Sequence, residues 1–235
     1  MFAGQLNIFL RFVKILQRFD PEQQPILRQN QSLEDGALSW WLVSDSKLID
    51  IRAIHCDCPS PPHRSPTPRN LRESGHGKLI DSHHNVIRMN HAVMAGFERD
   101  VGNRSTHHIL YPESAMDLRR GNTSALTTGD VTRVSADRDR VLVVSPEFFS
   151  YIHHNWTEKH GRYPSTGLTA VIYALHTCDQ VSLFGFGADS EGNWHHYWEK
   201  NKFAGAFRKT GVHNADYETE ILQQLHREGK VQLYM

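Results

Sequence analysis

The residues with the widest chemical range fall within one short stretch, Gly185–Asp216. It holds a glycine turn at Gly185-Phe-Gly187 and two adjacent histidines, His195 and His196, set between Trp194, Tyr197 and Trp198. A basic pair, Arg208-Lys209, and a further histidine, His213, follow. Imidazole titrates near neutral pH, so His213 can take a proton from an alcohol and release it again. Neighbours in sequence point apart, so His195 and His196 do not read as a metal dyad. One of them suits a hydrogen bond to a phosphate, and the aromatics around them suit apolar walls and stacking surfaces. Together the stretch fits a site that holds an anionic, nucleotide-like ligand and moves one proton.

A second candidate is Tyr163-Pro-Ser-Thr-Gly167. Ser165 or Thr166 can cap the helix that follows, and Gly167 lets a ligand approach the backbone. The N–H groups exposed at such a terminus favour phosphate or carboxylate. Asp137-Arg138-Asp139 has the form of an acidic metal clasp, but it precedes a strand, and a solvated loop is the better reading. No phosphate-binding G-x-x-x-x-G-K-[ST], no H-E-x-x-H and no G-x-S-x-G occurs.

These groups need a scaffold, and the chain is long enough to supply one. Its 235 residues can bury a sizeable core, and 39% apolar with 22% charged residues reads as a folded domain. Lys+Arg and Asp+Glu are both 26, so no electrostatic case exists for nucleic acid or a membrane surface. Sixteen histidines can move the net charge between pH 7 and pH 5. Cys56, Cys58 and Cys178 do not form a zinc knuckle; one long-range bridge from Cys178 to Cys56 or Cys58 is open. N-x-[ST] sequons at Asn30, Asn103, Asn122 and Asn155 lean toward the secretory pathway. The first residues carry Phe9, Phe12, Val13 and Leu16 at helical spacing, but polar residues break them too often for a membrane span.

The coarse pattern alternates strands and helices. Val86–Met89, His107–Tyr111, Val141–Val144, Val181–Phe186 and Val231–Tyr234 read as strands. Residues 33–48, Glu147–Lys159, Leu168–Thr177 and Ala215–His226 read as helices. Residues 119–139 read as loop, and the five prolines within 56–69 exclude helix and central strand there. The expected architecture is α/β, a mostly parallel Rossmann-like sheet flanked by helices. Residues 1–50 read as a helical segment ahead of one domain over 51–235.

Several long segments resemble the β-galactoside α-2,3-sialyltransferases, in the branch that acts on Gal-β1,3-GalNAc. The small sialylmotif is similar to RYPSTGLTAVIYALHTCDQVSLFGFGA, 162–188, and the third motif to His195-His-Tyr-Trp198. The very small motif resembles FRKTGVHNADYE, 207–218, and the second half of the large motif resembles residues 70–114. Residues 19–42 are similar to the segment next to the family's stem. The resemblance implies CMP-sialic acid as donor, a galactose-terminated glycan as acceptor, and inversion without a metal or other cofactor. It implies His213 as general base, His196 at the departing phosphate, and Asn70 and Asn90 at the nucleotide. Ser165, Thr166, Gly167 and Gly187 would line the donor pocket, with Tyr163 and Trp194 facing the bound sugars. It also implies the lumenal side of the Golgi membrane and an N-terminal anchor that these residues do not show.

The chain departs from the family pattern in three places. Pro61–Asn70 stands where the large motif has a cysteine, an apolar strand and a glycine–asparagine turn, and only Asn70 is kept. Pro62 falls at the position of the motif's cysteine, the family partner of Cys178, and Thr67 at that of a nucleotide-binding asparagine. A short polar run, Arg119–Arg140, replaces an apolar strand, a helix and a donor-side tyrosine, and Asp45 replaces an acceptor-binding glutamine. The expected consequence is a missing or replaced first strand. A second reading follows from it: a catalytically inactive relative that binds nucleotide, glycan or a partner enzyme.

Overall fold

Val86, Ile87, Arg88 and Met89 are all buried, so the strand they form is covered on both faces. That burial requires a helix layer on each side of a sheet. The computed structural model describes residues 18–26, 53–56, 71–90, 92–109, 142, 144–187, 197 and 211–234. Its strands are β1 (Ala53–Cys56), β2 (Asn85–Met89), β3 (His107–Ile109), β4 (Val181–Phe184) and β5 (Gln232–Tyr234). Its helices are α1 (Gly77–Ser82), α2 (Glu98–Val101), α3 (Pro146–Tyr151), α4 (Thr166–Thr177) and α5 (Ala215–Arg227). A π-helical turn, Ile152–Trp156, continues α3.

The sheet order is β3-β2-β1-β4-β5. β2 pairs parallel with β3, and β4 parallel with β5. β1 is antiparallel to both β2 and β4, with Ala53 opposite Arg88 and Phe184, and Cys56 opposite Asn85 and Val181. Four strands therefore share one direction, and the central one runs against them. The α/β class and the largely parallel sheet hold. The first strand is neither the expected apolar run nor simply lost: a four-residue segment just ahead of the proline-rich stretch fills the centre, reversed.

Alternate residues of each strand serve different layers. Ile87, Met89, Val181, Leu183 and Leu233 pack with Phe148, Ile152, Trp156, Leu168, Ile172, Ile221 and Leu225 in the larger core. Val86 and Phe184 face the other way, onto Leu71, Ile80, Val101 and Tyr197. Arg88 lies on that second face, only 1% exposed, and its guanidinium donates to the carbonyls of Val101 and Arg104 at 2.7–3.0 Å. Three hydrogen bonds to carbonyls thus accompany the charge into the interior.

The expected helix over Glu147–Lys159 is split. Pro146 opens α3, the π turn takes over at Ile152, and Glu158 and Lys159 then adopt left-handed φ of 48° and 64°. Of the expected strand Val141–Val144, the described residues are Leu142, which is exposed, and Val144, which makes an isolated bridge to Ile26. β4 stops at Phe184, ahead of the turn at Gly185, and β5 starts one residue later than its sequence run, at Gln232. The helices expected over 33–48 and near the N-terminus, the loop 119–139, and Asp137 and Asp139 lie outside the described residues. Cys178 is disulfide-bonded, and the sequence offers Cys56 and Cys58 as its partners.

Candidate functional site

His213 is 4% exposed and held from three directions. Its backbone bridges that of Gly161, and Arg162 N donates to the Val212 carbonyl at 2.7 Å. Its ring meets that of Tyr163 edge-on, with centroids 4.8 Å apart. Its Nδ1 donates to the Tyr163 carbonyl at 2.8 Å. A carbonyl oxygen only accepts, so this bond puts the proton on Nδ1 and makes Nε2 the basic nitrogen. Glycine is required at 161. Its φ is 78°, and a Cβ there would stand 2.8 Å from the Val212 carbonyl oxygen.

The residue after His213 starts α5. Asn214 accepts from Tyr217 N at 3.1 Å through its side chain, a helix cap. Four residues later Glu218 turns inward, 5% exposed. Its carboxylate accepts from Ser165 N at 2.9 Å and from Ser165 Oγ at 2.5 Å. Ser165 Oγ in turn accepts from Leu168 N at 3.1 Å, capping α4. The starts of α4 and α5 are therefore tied by one carboxylate, and His213 sits at the knot.

The same bonds give Ser165 a local structural role. Its hydroxyl proton is committed to Glu218 and one lone pair to the cap. Ser165 therefore orders the α4 terminus. Thr166 beside it differs: it is 3% exposed, and its Oγ1 is buried without a hydrogen-bond partner. That hydroxyl lies in the first turn of a 12-residue helix, next to backbone N–H groups that have no partner within the helix. Gly167, also buried, keeps the same turn free of side-chain bulk.

Further groups lie at the carboxyl ends of the parallel strands, where open α/β sheets bind ligands. Asn90 directly follows β2, 2% exposed, in a left-handed conformation with φ 47°. It is fixed by Asn90 N donating to the Ile109 carbonyl and by His108 Nε2 meeting its own carbonyl at 2.5 Å. Gly185 follows β4 with φ 74°, and Leu71 fills the space a Cβ would need. Gly187 follows with φ 154°. Tyr197, next to His196 in sequence, packs on Phe97 and donates its hydroxyl to the Val93 carbonyl at 2.6 Å. Burial raises its phenol pKa, an effect the Arg88 charge opposes.

His213, Tyr163, Ser165, Thr166 and Gly167 thus form one cluster, while Asn90 and Gly187 stand at the ends of β2 and β4. Asn70, Trp194 and His196 lie outside the described residues. Among the described residues, no group of three or more His, Cys, Asp or Glu could hold a metal ion. The functional residue that sequence reasoning missed is Glu218. Its position in the first turn of α5, five after His213, was the available signal, since helix starts favour carboxylates.

Comparison with known proteins matches residues 67–126 and 117–230 to glycosyltransferase family 29 (sialyltransferase). A mouse CMP-N-acetylneuraminate-beta-galactosamide-alpha-2,3-sialyltransferase 2 is 48% identical over 70% of this chain and 54% of its own length. A human CMP-N-acetylneuraminate-beta-galactosamide-alpha-2,3-sialyltransferase 1 is 39% identical over 93% of this chain and 77% of its own. The chain therefore spans about half the length of that mouse relative. A crystal structure of a mammalian sialyltransferase in complex with Gal-beta-1-3GalNAc-ortho-nitrophenol superposes with TM-score 0.69. It is 30% identical and covers 94% of both chains.

Proposed function

The chain belongs to glycosyltransferase family 29, the sialyltransferases, and from that premise we propose that it transfers sialic acid from CMP-sialic acid to the 3-hydroxyl of a terminal β-galactose. The acceptor class is Gal-β1,3-GalNAc on a glycoprotein or glycolipid. In this reading His213 Nε2 removes the proton of the galactose 3-hydroxyl. The freed oxygen attacks the anomeric carbon of sialic acid as the bond to the CMP phosphate breaks on the opposite face. The product is inverted, and the leaving phosphate takes the negative charge. The N–H groups and the Thr166 hydroxyl at the start of α4, with His196, would receive that charge. Asn90, Asn70 and Gly187 would hold the nucleotide; Tyr163 and Trp194 would face the sugars. No metal or other cofactor is needed, because the leaving group is an anion met by backbone donors. The place of action would be the Golgi lumen; among the described residues no helix is long and apolar enough to cross a membrane.

The observation that supports this reading most is the bond from His213 Nδ1 to the Tyr163 carbonyl, which leaves Nε2 basic beside a helix start. The test is formation of sialylated product from CMP-sialic acid and a Gal-β1,3-GalNAc acceptor, with and without chelator. Absence of product from folded protein that still binds CMP would favour the second reading, a binding protein without turnover. One feature favours that second reading. The reversed β1 ends at Cys56 beside Asn85 and Val181, at the sheet edge away from Asn90 and Gly185.

A further inference from the structure

One sequence motif plays no part in the transfer site. Asn103-Arg104-Ser105 is an N-x-[ST] sequon in the turn between α2 and β3. Asn103 and Ser105 are both exposed, so the amide and the hydroxyl that a modifying enzyme reads are open to solvent. The turn itself is pinned. Asp81 accepts from Asn103 N and from Arg104 N, each at 3.0 Å. Glycine at 102 permits that approach: its φ is 70°, and a Cβ there would stand 2.3 Å from Asp81 Oδ1. The Arg104 guanidinium donates to the carbonyls of Asp81, His83 and His84. The middle residue of the sequon is thus bound to the protein, and its two neighbours are left outside.

The position also suits a bulky group. β2 and β3 are parallel, and the turn stands at their amino ends, where Thr106 N donates to the Val86 carbonyl. Asn90 follows the other end of β2. That strand has five residues, about 16 Å at about 3.3 Å each, so a glycan at Asn103 stands clear of the nucleotide side. The sequon at Asn155 is presented differently. Asn155 is exposed, but Trp156 and Thr157 are 1% and 0% exposed, and Thr157 Oγ1 donates to the His153 carbonyl at 2.8 Å. Reaching that hydroxyl means opening the π turn and lifting Trp156 from the larger core. Asn30 and Asn122 lie outside the described residues.

We propose that Asn103 carries an N-linked glycan. Its side-chain nitrogen bonds to the anomeric carbon of an oligosaccharide held on a lipid pyrophosphate. The carbon–oxygen bond to the pyrophosphate breaks, the lipid pyrophosphate leaves with that electron pair, and the nitrogen gives up one proton. The proposal rests on the lumenal location in the reading above, and not on the transfer chemistry.

The full chain, expressed in animal cells behind a cleavable secretory signal, tests it. Lumenal and secreted protein is treated with peptide-N-glycosidase in heavy-oxygen water and digested for mass spectrometry. Asn103 should be converted to labelled aspartate in most molecules. Asn103→Gln and Ser105→Ala should each lose that one glycan. Both positions are exposed, so either variant can carry the test if the other fails to fold. Lumenal protein with Asn103 unmodified would overturn the proposal, as would a glycan that Ser105→Ala leaves in place. Sialyl transfer measured on the same protein separates the two readings: a chain glycosylated at Asn103 but without transfer counts against the transferase and upholds the modification site.

Discussion

Replacing Glu218 and Ser165, singly and together, measures the tie between the two helix starts. Both side chains are buried, at 5% and 0% exposure, so solvent cannot replace what is removed. Glu218→Ala deletes the acceptor of two bonds, at 2.9 and 2.5 Å, and strands two donors of Ser165. At about 1.5–3 kcal/mol per charge-assisted bond, the loss should be about 3–6 kcal/mol. Ser165→Ala removes the shorter of these bonds and the α4 cap, about 2–4 kcal/mol. The Oγ–Oε2 bond is counted in both singles but lost once in the double variant. The double should therefore be less destabilised than the two singles summed, by about 1.5–3 kcal/mol. Urea midpoints at constant slope give each value. Additivity within about 0.5 kcal/mol would refute the coupling, and with it the claim that one carboxylate joins α4 to the helix carrying His213.

Other consequences follow from the same geometry. Gly161→Ala forces a φ of 78° on a residue with a Cβ, against the backbone of Val212 and Asn214; it should destabilise by about 1–3 kcal/mol and lower turnover by displacing His213, read by melting and by product formation. Thr166→Val keeps shape and removes a buried hydroxyl that has no partner; the free protein should stay within about 0.5 kcal/mol in a urea melt, while CMP affinity by calorimetry drops about 2- to 10-fold. Burial lowers the pKa of His153, helped by His154 and Lys159, and burial lowers that of His76 against the opposing pull of Asp100. Both bases then bind protons more readily when unfolded. Stability is complete above the ordinary value of 6.5 and falls as pH drops through it toward the lowered folded values. Thermal melts should decline below about pH 6.5, and His153→Gln should flatten the decline.

The parts of the fold legible in the sequence are those set by local physics. Ser165 and Asn214 announce α4 and α5, and the apolar spacing of Leu168, Val171, Ile172 and Leu175 fixes the buried face of the first. β2, β4 and β5 were visible as short apolar runs. β1 was not, because Ala53–Cys56 carries no signal of its own and owes its place to neighbours on both sides. The π turn was hidden for a related reason: Phe148, Phe149, Ile152 and Trp156 repeat at nearly helical spacing, and one extra residue per turn leaves no compositional trace. In the site, residue type points to His213 and to Ser165 or Thr166, whereas Asn90 enters only through the family resemblance. What type could not reveal was that Ser165 is occupied by Glu218, since that bond joins residues far apart in the chain.

The central claim is that His213 moves a proton and does not hold the donor. Its most direct test is His213→Ala, with CMP affinity by calorimetry and sialyl transfer to Gal-β1,3-GalNAc measured on the same preparation. The account predicts turnover lower by about 100-fold or more with CMP affinity kept within about twofold. Turnover within about tenfold of the parent, or loss of CMP binding in step with activity, would contradict it.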